Sequence, residues 1–230
     1  MLTATSDTSN HLSFVGIYDI PEAARYLNAA GTPELPAAFG APKLIRWIRS
    51  GLIAPEQAET PGNELLINFY ELISVRVIAA LRQARVSVKE IKATERWLQE
   101  RLGMEYPFAT QNILTGQGQL FVEWQEVLVS GSRHGQMALE FLRGYLIPVR
   151  DLAFDEHSDL VALWEPSEHV TLDPLVQFGA PCVKGTRIPT RSIAGMVFAG
   201  EPEDAVARDF ALTIDEVRAA MAWERKLSRT

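Results

Sequence analysis

The chain has 230 residues, of which 47% are hydrophobic and 22% charged, an ordinary soluble composition with material for one large core or two to three small ones. No apolar run approaches the roughly 20 residues of a membrane span, and the N-terminal stretch lacks the basic and apolar segments of a signal peptide. The single cysteine, Cys182, excludes an intrachain disulfide framework and fits a reducing cytoplasm. The net charge of −7 is unevenly spread: residues 104–170 carry 3 basic and 10 acidic side chains, whereas residues 18–103 carry 11 and 10. The acidity therefore sits in the middle, and the first third keeps its cations available for a polyanion.

Residues 1–17 are polar and unpatterned until Leu12 and are expected to form a flexible arm. Asp19 then precedes an apolar stripe of Ile20, Ala23, Ala24 and Leu27, the i, i+3, i+4, i+7 pattern of an amphipathic helix. Asp19 and Glu22 have capping-box spacing, and Pro21 suits a first turn. After a long connection over residues 28–41, a second helix is predicted from Lys43 to Arg49, closed by Gly51. Leu44, Ile45 and Ile48 supply its packed side. Lys43, Arg46 and Arg49 recur every three residues, spread over about 120° at 100° per residue. Such a sector can face a major groove, where arginine reads guanine and lysine reaches bases or phosphates; it can equally be a solvated basic face.

An excursion from Ala54 to Asn63, rich in Pro and Gly, leads into a strand-like Leu65–Tyr70 run. Two helices followed by a hairpin make a winged helix-turn-helix, whose wing reaches the flanking DNA backbone, here through Gln57 and Asn63. Ile73, Val77, Ala80, Leu81 and Ala84 mark a third helix behind the wing. A fourth is predicted from the Ser87/Glu90 capping box to Leu102, stopped by Gly103. Val88, Ile91, Glu95, Leu98 and Leu102 step 3,4,3,4 along it, a seam interrupted by one carboxylate. That seam serves either intramolecular packing or, as expected here, a homodimer that would set two recognition helices on consecutive turns of DNA.

Residues 104–169 are expected to form an acidic α+β region. Asn112–Thr115 and Gln119–Trp124, around a Gly116/Gly118 turn, read as one hairpin; Met137–Tyr145 reads as a helix. Leu146–Phe154 and Leu160–Trp164 read as a second hairpin. Beyond Pro174 a Gly- and Pro-punctuated loop runs from Phe178 to Thr190, and three helices follow over 191–199, 203–210 and 213–226. These form a C-terminal tri-helical bundle whose carboxylates, Glu203, Asp204, Asp209, Asp215 and Glu216, would repel phosphate, so a protein contact suits it better. The expected fold class is thus mainly α with a small α+β middle: a winged helix-turn-helix, a linker region containing β-hairpins, and the bundle.

Residues 18–92 resemble MerR-like winged-helix domains in Tyr18-Asp-Ile-Pro-Glu-Ala-Ala24, Leu44-Ile-Arg-Trp47, Gly51-Leu-Ile-Ala-Pro55 and Val86-Ser-Val-Lys-Glu-Ile-Lys92. Residues 170–224 resemble a small antitoxin-associated domain with a Gly-x-Pro-x-x-x-Gly-Thr-Arg-Ile-Pro core, here Gly179 to Pro189. The whole is similar to VapB-type antitoxins that join two such parts, giving domains at 18–103 and 170–230. The resemblance implies a DNA-binding antitoxin of a type II toxin–antitoxin system that represses its own operon and neutralises a partner toxin, a PIN-type ribonuclease. It implies operator contact by Lys43, Arg46 and Arg49 with the wing on the backbone, and a family core or partner contact at Lys184, Gly185, Thr186 and Arg187. Such a protein would act in the cytoplasm, at the nucleoid, without a cofactor.

The alternative is an effector-responsive MerR-like regulator, with Trp124 and Trp164 walling a small pocket or simply filling a core. An enzyme is not expected. His11, His134, His157 and His169 lack ligand spacing, no phosphate loop or nucleophile elbow occurs, and Cys182 has no thiol partner for metal sensing.

Overall fold

The computed structural model describes residues 15–31, 39–55, 65–103, 105–115 and 151–229. Among them are eight α-helices and two small antiparallel sheets, a mixed α+β arrangement. No helix among the described residues is long and apolar enough to cross a membrane.

Strand β1 (Ile17–Asp19) runs into helix α1 (Ile20–Ala30), where Asp19 accepts the Glu22 backbone N–H at 2.6 Å. Only that half of the expected capping box forms. The Glu22 carboxylate instead accepts the Tyr26 hydroxyl at 2.6 Å, one turn along the helix. Asn28 then holds the entry to the next helix: its amide donates to the Phe39 carbonyl at 3.1 Å and accepts the Phe39 N–H at 2.9 Å. Helix α2 (Ala41–Arg49) follows with Pro42 in its first turn, two residues before the predicted start. Gly51, at φ +64°, supplies the left-handed turn out of it.

The Leu65–Tyr70 run, expected as one strand, divides. Strand β2 (Leu66–Asn68) pairs antiparallel with β1, Tyr18 opposite Ile67. Asn68 and Glu71 then cap each other's backbone, and α3 (Phe69–Gln83) begins. The helix puts Phe69 and Leu72 on one face, where alternation in a strand would have separated them. The tip of the expected wing, with Gln57 and Asn63, lies outside the described residues. Helix α3 is buried on nearly every side and forms the axis of the main core.

Helix α4 (Val88–Leu102) has the predicted Ser87/Glu90 box and Gly103 stop. Its seam corrects the expected use. Ile91 and Leu98 are fully buried in the chain's own core, beneath α3 and a 3-10 turn at Pro107–Ala109. The same 3,4 spacing serves a helix packed within one chain, so these residues are not the contact between two copies. Glu95 lies in that seam, and burial lifts its carboxyl from 4.5 to about 7 against the opposing pull of Lys92. The folded form therefore holds a proton that the unfolded chain releases near pH 4.5. Stability is fullest below that value and falls as pH rises to about 7, by on the order of 2–3 kcal/mol. Glu95→Gln is expected to flatten the fall and to gain stability at pH 8 but not at pH 4. Parallel wild-type and variant curves across that range would mean a hydrated carboxyl.

Residues Asn112–Thr115, expected as a strand, lie in a short helix, α5 (Gln111–Thr115). Ile113 and Leu114 are adjacent and both buried, which a helical turn permits and a strand with one covered face does not. The rest of that hairpin and the Met137–Tyr145 helix lie outside the described residues. The second hairpin is present in its described part, β3 (Leu152–Phe154) against β4 (Val161–Ser167). It grows by β5 (Val170–Leu172) and β6 (Cys182–Val183) into a four-stranded antiparallel sheet, in chain order.

Helices α6 (Thr190–Phe198), α7 (Glu203–Asp209) and α8 (Ile214–Leu227) close over a second core that includes Val183, Ile193, Val206, Val217 and Ala220. Trp223 of α8 points the other way, into the main core beside Tyr26. A backbone clasp accompanies it. The Tyr18 hydroxyl donates to the Gly179 carbonyl at 3.1 Å, and the Gly16 N–H donates to the Pro174 carbonyl at 3.2 Å. Gly179 has φ +83°, and a Cβ there would collide with the Tyr18 hydroxyl. Only glycine fits.

Candidate nucleic-acid interface

Helix α2 is amphipathic because its apolar residues, Leu44 and Trp47 foremost, are drawn onto α1 and the main core, leaving the opposite face to charge. Arg46 and Arg49 are exposed on that face, and Lys43 is half-buried. The spacing treats the three as equivalent; the structure does not. The Lys43 ammonium lies 5.2 Å from the Phe39 ring centre and 5.3 Å from that of Trp47, two rings meeting edge to face at 5.1 Å. Burial lowers the Lys43 pKa, and the nearby Arg82 lowers it further. Phe39 lies outside the helix, so no periodicity within α2 marks this seat.

Two further cations, which the spacing within α2 does not mark, reach the same surface. Arg82, near the C-terminus of α3, joins Lys43, Arg46, Trp47 and Ser50 around a groove of about 610 Å³. Its guanidinium also donates to the Val86 carbonyl, which holds it at the turn between α3 and α4. Lys92 of α4 donates to the Ser50 carbonyl at 2.6 Å and so braces the end of α2. The available signal for Arg82 is a charge in the last turn of an otherwise largely buried helix. Among the described residues, no carboxylate pairs with Lys43, Arg46, Arg49 or Arg82. The result is a cationic surface on a rigid support, able to hold phosphates and to present arginine forks to base edges.

The tail positions are arranged differently. Lys184 pairs with Glu165 at 2.6 Å, tying β6 to β4. Gly185 takes φ +75° in the following turn, and the Thr186 hydroxyl donates to the Val183 carbonyl at 2.8 Å while accepting the Ile188 N–H at 3.0 Å. Their polar groups brace the turn. Arg187 alone of the four extends an exposed side chain without an ion-pair partner among the described residues. Trp164 is fully buried, its ring 5.2 Å from the Arg76 guanidinium, and fills a core rather than a pocket wall. Among the described residues no group of three or more His, Cys, Asp or Glu could hold a metal ion.

Residues 170–223 match the family described as "Protein of unknown function (DUF433)". The chain is 23% identical to "Putative antitoxin VapB45" of Mycobacterium tuberculosis (strain ATCC 25618 / H37Rv), over 90% of this chain and 93% of that protein. It is 24% identical to "Uncharacterized protein Rv2308" of the same organism, over 73% and 74% of the two chains. The crystal structure of Rv2018 from Mycobacterium tuberculosis has the same fold, with a TM-score of 0.65 at 21% identity over 89% of this chain and 96% of that one. The chain is thus distantly similar, over nearly its whole length, to a protein that bears an antitoxin name.

Proposed function

We propose that this protein is a DNA-binding antitoxin that represses its own operon and neutralises a cognate toxin, a PIN-type ribonuclease. The observation that carries the DNA half is the cationic face of α2, with Arg46 and Arg49 exposed and no carboxylate pairing with them among the described residues. On this reading α1 and α2 are the helix-turn-helix, α2 enters the major groove, and Gln57 and Asn63 meet the backbone. A homodimer would set two copies of α2 on consecutive turns, through a contact other than the buried Ile91/Leu98 seam. The toxin half is supported by the similarity to the protein named as an antitoxin and by the tail's match. Of Lys184, Gly185, Thr186 and Arg187, the exposed Arg187 is the one whose side chain is offered to a partner.

The test is binding to a duplex from the promoter of its own operon, together with co-expression alongside the neighbouring gene. Arg46→Ala is expected to weaken promoter binding by about 1–3 kcal/mol while binding to unrelated duplex falls less, as for loss of a guanine contact. Unchanged affinity would move the reading surface elsewhere. Failure to form a complex with the neighbouring product, or to relieve its toxicity, would remove the antitoxin half.

A second reading, an effector-responsive regulator, is favoured by one observation. A cavity of about 290 Å³ lies between α1 and the tail, lined by Glu22, Arg25, Tyr26, Thr190, Arg191 and Glu224. Promoter binding that depends on a small zwitterionic molecule would select it.

A further inference from the structure

We propose that the groove between α2 and the end of α3 is a phosphate site, in which Arg82 together with Lys43 clamps one phosphodiester of the DNA backbone beside Arg46. The inference rests on the DNA-binding reading above and extends it from the face that would read bases to the contact that would fix register.

Three cations from two helices line this one groove, and no carboxylate among the described residues neutralises any of them. Like charges brought together on a folded surface repel, and an anion between them removes that cost. Lys43 already registers the repulsion in its lowered pKa, on top of its burial. The pieces are also fixed in place. Lys43 rests on the Phe39 and Trp47 rings, and one nitrogen of Arg82 is held by the Val86 carbonyl, which leaves other N–H groups of the fork for an oxyanion. Arg46 lines the groove and also belongs to the exposed sector of α2, so a phosphate held here adjoins the bases that α2 would read. A groove of about 610 Å³ accepts more than a lone phosphate and suits a phosphate with its flanking sugars.

The test measures the full-length protein on its promoter duplex and on a scrambled duplex, across a range of salt. Arg82→Gln is expected to weaken both duplexes by the same factor, roughly three- to tenfold, and to reduce the salt slope by about 1, with Arg82→Lys retaining most of the wild-type behaviour. Gln83→Glu, at an exposed position on the groove wall, should act in the same direction without disturbing the fold. Thermal melting checks that each variant is folded. If Arg82→Gln and Gln83→Glu leave affinity and slope unchanged while Arg46→Ala weakens the promoter complex, the clamp is wrong and DNA reading stands. A loss confined to the promoter duplex would make Arg82 a base reader and overturn the clamp. Wild-type protein that binds neither duplex overturns both. Direct binding of inorganic phosphate, lost in Arg82→Gln, without duplex binding would overturn the clamp and assign the groove to a free anion instead.

Discussion

Asp151→Ala should destabilise the protein by about 3–5 kcal/mol. Asp151 meets the Arg76 guanidinium at 2.9 Å, and the Arg76 side chain is only 7% exposed in the middle of α3. The Trp164 ring lies 5.2 Å from that guanidinium, and the indole N–H donates to the same Asp151 oxygen at 2.9 Å. Removing the carboxylate takes an ion-pair partner from a buried guanidinium and deprives the indole of its acceptor. The pair also joins the four-stranded sheet to α3, so its loss loosens two elements together. Replacing both partners, Arg76→Met with Asp151→Leu, should recover most of the stability, because the buried charge is then gone. Urea unfolding of the wild type and these two variants decides the matter: an Asp151→Ala loss below about 1 kcal/mol would mean that the Arg76 charge does not depend on this pair.

Trp223→Ala should cost about 3–5 kcal/mol and lower Tm by roughly 10 °C. Trp223 is fully buried, its ring 6.3 Å from that of Tyr26 on α1, and it belongs to the same core as Leu27 and Phe69 although it comes from the last helix. Truncation leaves a cavity that α1 cannot fill without moving. One transition in the melt is expected, since the tail and the first 100 or so residues share this core. Removing residues 171–230 outright should destabilise the remainder further, because Leu172 and Trp223 leave together. A Trp223→Ala loss within about 1 kcal/mol would mean that α8 is not seated on α1 in solution.

What the sequence disclosed and what it withheld divide along chemical range. The caps at Asp19 and Ser87 and the stop at Gly103 are readable because each is a hydrogen-bonding arrangement within four residues. Asn68 and Glu71 made an equally local statement, overlooked because the apolar Leu65–Tyr70 run fits a strand as readily. Val170–Leu172 is buried at all three positions, so it offered no alternation from which to recognise a strand. The seam of α4 is legible as an apolar face, but spacing fixes which face is apolar and not what covers it. In the candidate interface, Arg46 and Arg49 were legible from helical spacing. The Phe39 seat of Lys43 and the approach of Arg82 depend on chain folding back from other elements, which no window of residues contains.

Helix α1 touches α2 along one side and α8 along another, with Trp223 and the Tyr18–Gly179 clasp fixing the second contact. A molecule that engages only the seated form of α8 thereby steadies the support on which α2 rests. Thermodynamic linkage makes such an influence reciprocal: occupancy at either end changes affinity at the other by the same factor, without any added hinge or messenger segment.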